Sequence, residues 1–325
     1  MNTFQDQPVP YHATAQRIGW DDLPTMVRDD ITAHLGGPPG TIHLAGGGFT
    51  GGFAAVVTAA DGTALFVKAA GPQMPFVVRS HQREAHVNPA LPTGVPVPRL
   101  RFASQIGDWV VLGMTAVPGR APRLPMSPTE VDIMLRAWAD SVAALREPGA
   151  ALLDLGLPEL IDDLGDTVRR FTAMAAGEAE LRLLPAGYRD HVGELAELES
   201  DLRAAISGPG VTHGDLRPDN MILAGDTAWI CDWNWPAHGA AFFDTICFLV
   251  VAFIDGHDGD ALLRRHPTSA GVADEQIDSA LAAIAGYYLH QAQQPPFTHV
   301  SPHLRTHQRH NGLAALGWLA RRRDW

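Results

Sequence analysis

Three side chains near the middle of the chain have the types and the spacing that phosphoryl transfer requires. Asp215 and Asn220 lie five positions apart within residues 213–220, which read HGDLRPDN, and Asp232 follows twelve residues after Asn220. One carboxylate of such a set can accept the proton of an attacking hydroxyl. The amide and the second carboxylate can hold the magnesium ions that neutralise phosphate charge. The spacing therefore predicts a phosphoryl-transfer site within residues 211–232.

The segment between Asn220 and Asp232 consists of two apolar runs joined by Gly225-Asp226. Short apolar runs around a Gly-Asp pair are typical of a β-hairpin. We therefore predict a loop, a hairpin and a carboxylate at the exit of the hairpin, in that order along the chain.

The chain contains a single lysine, Lys68, among 24 basic side chains of the lysine and arginine type. Lysine is a compact point charge that can lie between two phosphate oxygens, and the planar fork of arginine replaces it poorly. Lys68 lies in the apolar run 64–69, which predicts a β-strand. An ordinary surface lysine is the alternative, but its isolation and its strand favour phosphate binding.

A glycine-rich segment precedes Lys68 by about twenty residues. Residues 46–53 read GGGFTGGF, and two predicted strands follow at 53–59 and 63–69, joined by Asp61-Gly62. Glycines let backbone N–H groups approach phosphates closely, although many such runs are only flexible turns. Their position before a strand lysine predicts nucleotide binding by Gly47, Gly48, Phe49 and Thr50.

Two further segments could complete a nucleotide site. A predicted helix at 76–88 carries Glu84, the only acid between Lys68 and Asp108. A helix glutamate can pair with the lysine and aim its ammonium at the nucleotide; an ordinary solvated glutamate is the alternative. The apolar strand predicted at 109–114 leads to residues 115–119, whose backbone could bond the edge of a base. Nucleotide contacts are therefore predicted for Met114, Thr115 and Val117.

The remaining elements are predicted to be mostly helical. Apolar residues at three-to-four spacing predict a helix at 17–36, helical structure over 127–207, and helices at 245–254, near 274–292 and near 311–323. Most of the predicted strands lie before residue 115, and most of the predicted helices lie after it. The chain is therefore expected to be of the α+β class.

Composition limits the partners of this chain. Its 325 residues carry a formal net charge of −12, which argues against nucleic acid and anionic membranes. The longest apolar run, 246–254, is too short to span a bilayer. The first six residues lack the features of a signal peptide, and two cysteines cannot form a disulfide framework. These features predict a cytoplasmic protein, monomeric or homodimeric, whose partner is a small molecule.

Together these motifs resemble the aminoglycoside phosphotransferase family, bacterial small-molecule kinases related to choline kinases. The resemblance runs from Trp20 to about residue 255 and rests on residues 213–220 with Asp232-Trp233, where protein kinases have Asp-Phe-Gly. It implies a protein-kinase-like two-lobe fold. The N-terminal lobe would span 1–114, the hinge 115–119, and a mostly helical lobe 120–325, which holds the catalytic loop 211–232 and the acceptor pocket.

The resemblance also implies a role for each motif residue. Asp215 would be the catalytic base, Asn220 and Asp232 would bind Mg²⁺, and Lys68 would contact the phosphates of ATP or GTP while pairing with Glu84. Two residues would support the catalytic loop, namely His213 and Asp244. Asp244 is followed by Thr-Ile where the family usually has Leu-Ala, and an N-cap on a helix that starts at residue 245 is an alternative role for it.

Three functions are compatible with these motifs. The first is an antibiotic-inactivating phosphotransferase acting on a hydroxyl of an aminoglycoside, nucleoside or macrolide. The second is a metabolic kinase for a sugar, an amino alcohol or a biosynthetic intermediate, and the third is a catalytically silent kinase fold that binds a ligand. Because Lys68, Asp215, Asn220 and Asp232 are all present, the sequence favours an active enzyme.

Charge counts leave the acceptor class open. Aminoglycosides are polycations, and a pocket for them should be strongly acidic. Residues 120–210 hold 16 acids against 9 arginines, which would suit a polycation, whereas residues 233–325 hold 8 acids and 7 arginines. A cationic aminoglycoside and a neutral hydroxylated natural product are therefore about equally compatible with the sequence.

Overall fold

A five-stranded antiparallel sheet forms the first lobe of the computed structural model, which describes residues 9–325. The signal-peptide prediction concerns residues outside this range. The strands have the order β1-β2-β3-β5-β4. They are β1 (Pro39–Leu44), β2 (Phe53–Ala59), β3 (Ala64–Ala70), β4 (Leu100–Ile106) and β5 (Trp109–Thr115). The strands predicted at 53–59, 63–69 and 109–114 are confirmed to within one residue.

Lys68 lies on the central strand of this sheet. It is paired with Ala54 of β2 and with Leu112 of β5. Its strand neighbours Val67 and Ala69 are fully buried and belong to the hydrophobic cluster beneath the other face of the sheet. Because side chains alternate along a strand, the side chain of Lys68 projects from the face opposite to that cluster.

Two helices pack against the sheet, α1 (Thr25–Leu35) and α2 (Pro75–Ala90). The helix predicted at 76–88 is confirmed. The helix predicted at 17–36 is wrong for its first eight residues, because Gly19 and Asp22 form a turn, in which the Asp22 carboxylate accepts from the Gly19 N–H at 2.9 Å. Pro24 then occupies the N-cap position, and α1 begins directly after it.

The second lobe is mostly helical, and the predicted α+β class is thereby confirmed. Its helices are α3 (Pro128–Ala144), α4 (Ala150–Leu153), α5 (Leu160–Leu164), α6 (Arg170–Ala175), α7 (Val192–Ser200), α8 (Leu202–Ile206), α9 (Phe242–Ile254), α10 (Gly259–Arg265), α11 (Asp274–Ala292) and α12 (Leu304–Arg323). Residues 127–207 are therefore several helices separated by turns. Within residues 9–325, no helix combines the length and the apolar character needed to cross a membrane.

The last two helices differ in how well their limits follow from sequence. The predicted helix 274–292 coincides with α11. The helix predicted near 311–323 instead begins at Leu304. Its first two turns were missed because their polar residues show no apolar periodicity. Those turns are nevertheless packed, and His307, Gln308 and Asn311 are all buried.

Two short strand pairs hold the loop at residues 213–220. Strand β6 (Val211–Thr212) pairs with β9 (Ala237–His238), and β7 (Met221–Ala224) pairs with β8 (Thr227–Ile230) across the turn at Gly225. The predicted order of loop, hairpin and carboxylate is therefore confirmed. The linker after β5 joins this hairpin, since Arg120 and Leu223 exchange backbone bonds of 2.9 and 2.8 Å. The lobe limits at 114 and 120 stay predictions.

Candidate active site

The loop between β6 and β7 brings Asp215 and Asn220 together. The amide nitrogen of Asn220 donates to the backbone oxygen of Asp215 at 2.9 Å and to its Oδ2 at 3.1 Å. The tight turn at Pro218–Asn220 makes this contact possible. Since the amide nitrogen is engaged with Asp215, the amide oxygen of Asn220 is the atom left for a cation.

His213 connects the loop to the exit of the hairpin. Its ring is fully buried, its Nδ1 accepts from the Asp215 N–H at 3.2 Å, and its Nε2 lies 2.8 Å from the Cys231 carbonyl. Because Nδ1 accepts, the ring proton lies on Nε2 and donates to Cys231. Burial lowers the pKa of His213 to about 4, so the neutral ring is the form present near pH 7. The imidazole thus links the residues next to Asp232 with the backbone of Asp215.

Asp244 holds the backbone of the same loop through hydrogen bonds. It is fully buried, and its two carboxylate oxygens accept from the backbone N–H groups of His213 at 2.8 Å and Gly214 at 3.0 Å. Burial raises the pKa of Asp244 to about 7, against the opposing effect of these donors. The alternative N-cap role is wrong, because α9 begins at Phe242 and has no side-chain cap.

Lys68, Glu84 and Asp232 form a single charged cluster. The Lys68 ammonium donates to both oxygens of Glu84, at 2.7 and 3.0 Å, and to Oδ1 of Asp232. Glu84 is 1% exposed, so the alternative of an ordinary solvated glutamate is wrong. Burial would lower the pKa of Lys68, but the two carboxylates outweigh it and raise that pKa. The ammonium therefore stays charged.

Asp232 has an unusual backbone conformation at the end of β8. Its φ of 60° lies in the left-handed region, which costs energy for a residue other than glycine. Trp233 next to it is fully buried and packs its ring edge-on to His213, with centroids 4.7 Å apart. The buried tryptophan anchors the strained turn, and the Asp232 side chain stays 39% exposed beside Lys68. Burial would raise the pKa of Asp232, but Lys68 holds it near 2.

A cavity next to Lys68 matches the predicted base site. Lys68 and Glu84 lie on its wall together with three residues predicted to contact the nucleotide, namely Met114, Thr115 and Val117. The wall is largely apolar, which suits a flat aromatic base. The cavity and the Lys68 cluster are therefore adjacent parts of one cleft between the sheet and the hairpin β7–β8.

A sequence profile of the phosphotransferase enzyme family, abbreviated APH, matches residues 48–249. The chain belongs to this family. The matched segment extends from the glycine-rich loop into α9 and includes Lys68, Asp215 and Asp232. No similar sequence was found among proteins with curated functions.

Solved structures of small-molecule kinases share the fold of this phosphotransferase. The GDP and kanamycin complex of APH(2")-IIia has a TM-score of 0.59 at 14% identity, covering 88% of this chain and 94% of that chain. A thermostable APH(4)-Ia mutant with ADP and hygromycin B has 0.56 at 10% identity, covering 91% and 97%. A putative fructosamine-3-kinase from Thermobifida fusca YX-ER1 has 0.53 at 18%, covering 90% and 98%. At these identities the similarity establishes the fold alone.

Arg17 shapes the glycine-rich loop of this phosphotransferase, although no sequence pattern indicated this role. Its guanidinium donates to the carbonyl oxygens of Gly47 and Thr50, each at 2.8 Å. Gly48 has a φ of 102°, and a Cβ there would lie 2.7 Å from the guanidinium. Arg17 therefore engages loop carbonyls. The N–H groups of residues 47–50 donate no hydrogen bond within the described part of the chain.

The far end of the chain also contacts this loop. Residues 299–301, here named the C-terminal strap, pair with it, since the Gly51 N–H donates to the His299 carbonyl at 2.9 Å. The Ser301 N–H donates to the Phe49 carbonyl at 2.8 Å. The buried ring of Phe49 packs on His307 of α12, with centroids 4.4 Å apart. The predicted nucleotide residue Phe49 thus directs its side chain toward the helical lobe.

Arg217 is a second residue that sequence reasoning missed, although it lies inside the motif. Its guanidinium donates to Oδ1 of Asp215 and forms two bonds to Asp219, at 3.0 and 3.1 Å. Burial raises the pKa of Asp215 to about 6, and the Arg217 charge opposes that rise. Arg217 thereby helps to keep Asp215 ionised near pH 7.

The donor set at Asn220 and Asp232 fits a hard divalent cation. One amide oxygen and one carboxylate with a low pKa are the ligand types that Mg²⁺ takes in proteins. The Asp232 side chain is half-buried, and only its Oδ1 is bonded to Lys68. The other oxygen of Asp232 and the oxygen of Asn220 are therefore the atoms that would hold the ion.

Proposed function

We propose that this phosphotransferase moves the γ-phosphoryl group of ATP or GTP to a hydroxyl of a small molecule, with an antibiotic-type natural product as the acceptor. One observation supports this proposal above the others. The ammonium of Lys68 bonds Glu84 and Asp232 beside an apolar cavity, and the loop with Asp215 and Asn220 adjoins the same cleft. These are the parts that phosphoryl transfer needs.

In the proposed reaction, Asp215 accepts the proton of the acceptor hydroxyl. The hydroxyl oxygen bonds to the γ-phosphorus while the bond from that phosphorus to the β–γ bridging oxygen breaks. The products are a phosphorylated alcohol and ADP or GDP. With a pKa of about 6, Asp215 is mostly ionised at neutral pH and can accept a proton.

The remaining residues would bind and orient the nucleotide. Lys68 would lie between phosphate oxygens, with Glu84 holding its ammonium in place. The N–H groups of Gly47, Gly48, Phe49 and Thr50, which have no acceptor among residues 9–325, would donate to the phosphates. The base would occupy the cavity lined by Met114, Thr115 and Val117. Asn220 and Asp232 would hold Mg²⁺, which would neutralise phosphate charge when bound.

Mass spectrometry on an acceptor panel tests this proposal. Purified protein, Mg²⁺ and ATP or GTP are incubated with antibiotics, sugars and amino alcohols, and a product heavier by one phosphoryl group is sought. Asp215→Asn should abolish that product and leave nucleotide affinity unchanged. Asp226→Asn, an exposed change in the turn of the neighbouring hairpin, is the matched control and should keep full activity. Full activity of Asp215→Asn, or a wild type that binds no nucleotide, would refute the proposal.

A further inference from the structure

One aromatic side chain of the second lobe contacts α2 of the first lobe. The ring of Trp235 stacks on that of Phe76, with centroids 5.7 Å apart and an angle of 21° between the ring planes. The guanidinium carbon of Arg83 lies over the same indole, 4.6 Å from the ring centroid. A cation at this distance is attracted to the face of an indole. These three residues, here named the aromatic clasp, therefore join α2 to the second lobe.

The two clasp residues of α2 lie on one side of this helix. Phe76 and Arg83 are seven positions apart, which is close to two helical turns, so their side chains point in similar directions. Val77 and Glu84 are buried and have the same spacing, and Glu84 bonds Lys68 of the sheet. One side of α2 thus contacts Lys68 and the adjacent side contacts the second lobe. A rotation or shift of α2 would change both contacts at once.

At its other end the clasp is fixed against the loop that carries Asp215. Gly214 has a φ of 79°, and a Cβ there would overlap the carbonyl oxygen of Trp235 and lie 3.1 Å from the Trp235 Cβ. The backbone of Trp235 can approach this closely because glycine has no side chain. Gly214 directly precedes Asp215, and its N–H donates to Asp244 at 3.0 Å. The clasp therefore connects the backbone next to Asp215 with the helix that carries Glu84.

The position of Glu84 matters because it bonds the ammonium of Lys68. That ammonium bonds both Glu84 and Asp232. Asp232 is also a proposed ligand of Mg²⁺, whereas the buried carboxylate of Glu84 bonds no group other than Lys68 among residues 9–325. The direction of the ammonium therefore depends on where α2 holds Glu84.

We propose that Trp235 is a positioning residue: through the clasp it holds Glu84 where Glu84 orients Lys68. This inference rests on the proposed phosphotransferase function and adds a residue to its nucleotide site. The clasp residues of α2 contribute little to the core, since Phe76 is 51% exposed and Arg83 lies 3.9 Å from Asp163 in a half-exposed ion pair. Surface pairs of this kind contribute little to stability. Variants at these two positions should therefore fold.

Calorimetry with non-hydrolysable analogues of ATP and GTP, each with Mg²⁺, measures the effect on nucleotide binding. Trp235→Leu keeps the atoms that touch Gly214 and removes the ring, so the Kd of the bound analogue should rise at least about tenfold. Combined Phe76→Leu and Arg83→Gln removes the clasp from the side of α2 and should raise that Kd at least about fivefold. Trp235→Phe keeps an aromatic face and should stay within about threefold of the wild type. Arg79→Gln, at an exposed position of the same helix, is the matched control and should leave the Kd unchanged.

A double-mutant cycle separates positioning from general damage. In a Glu84→Ala background, Trp235→Leu should change the Kd by less than about twofold, because the connection to Lys68 is already broken. An equal loss of affinity with and without Glu84 overturns the inference. An unchanged Kd of Trp235→Leu in the wild-type background overturns it as well.

Hydrogen exchange of the nucleotide-free protein tests the clasp without any ligand. The amides of α2 should exchange at least about tenfold faster in Trp235→Leu than in the wild type, whereas those of α1 should not change. Unchanged exchange in α2 contradicts the inference. If the wild type binds neither analogue, the proposed function fails instead, and the exchange rates still decide whether Trp235 holds α2.

Discussion

Replacing Asp244 tests whether one buried carboxylate holds the loop at residues 213–220 in place. The change is Asp244→Ala. It removes both acceptors of the N–H groups of His213 and Gly214 and leaves them in a site without solvent, since Asp244 is fully buried. Nothing else within residues 9–325 accepts from these two groups. The loop must then either tolerate two unpaired donors or move.

The expected change in the free energy of unfolding follows from the two lost hydrogen bonds and from the cost of burying the Asp244 charge. Leaving one buried N–H unpaired costs about 1–3 kcal/mol, so two cost about 2–6 kcal/mol. The raised pKa of Asp244, about 7, shows that burial already disfavours its charged form, and removing the carboxylate recovers part of that cost. We expect a loss of about 2–4 kcal/mol in the free energy of unfolding, a large share of a typical total. Asp244→Asn keeps one acceptor and should lose about half as much.

Urea unfolding followed by tryptophan fluorescence measures this loss. Asp108→Asn, a change at an exposed acid of the β4–β5 turn, serves as the control and should change stability by less than about 0.5 kcal/mol. Turnover should fall in Asp244→Ala even under conditions where the protein is fully folded, because the backbone of Asp215 loses its support. A stability change as small as that of the control would refute the reasoning, and so would unchanged turnover.

Three further results are expected. Arg217→Gln should raise the pKa of Asp215 above about 6, since the guanidinium opposes the effect of burial on that pKa. The acidic limb of the pH–turnover profile should therefore move to a pH that is about 1–3 units higher, and an unmoved limb would contradict this. Burial acts to raise the pKa of Glu130, but the Ser127 N–H and other donors hold that pKa at about 2. The unfolded state therefore binds more protons than the folded state between pH 4.5 and 2. As a result, the free energy of unfolding decreases as the pH falls through that window. Glu130→Gln should therefore lower the melting temperature at pH 7 and flatten its decline on acidification, and an equally steep decline would be the opposing result. Lys68→Arg should reduce turnover by at least about 100-fold with little change in melting temperature, and near-normal turnover would exclude the phosphate role of Lys68.

The sequence by itself determined the motif segment and the elements nearest to it. Asp215, Asn220 and Asp232 have a spacing that fits a loop followed by a hairpin, and the turn at Gly225-Asp226 marks the hairpin. Strand β3 was recognisable from its apolar run, and α11 from regular apolar periodicity. These features are local, because turn preferences and side-chain periodicity act over a few residues.

Other side chains around the site are positioned by contacts between residues that are far apart in the sequence. Arg17 bonds a carbonyl 30 positions away, Asp244 bonds a backbone N–H 31 positions away, and Tyr11 reaches His307 across 296 positions. No local pattern indicates which arginine will enter a loop of glycines, because all 23 arginines have the same chemistry. The start of α12 at Leu304 likewise depends on packing of polar residues that carry no periodic signal.

The acceptor side shows most clearly what only the tertiary structure decided. From charge counts alone, the acids of segment 120–210 could have formed an anionic pocket. In the folded chain, Asp162 and Asp163 of that segment are paired with arginines. A sequence states how many charges a chain has. The fold decides which of them are neutralised by a neighbour, because pairing depends on distances of a few ångströms between elements that are far apart along the chain.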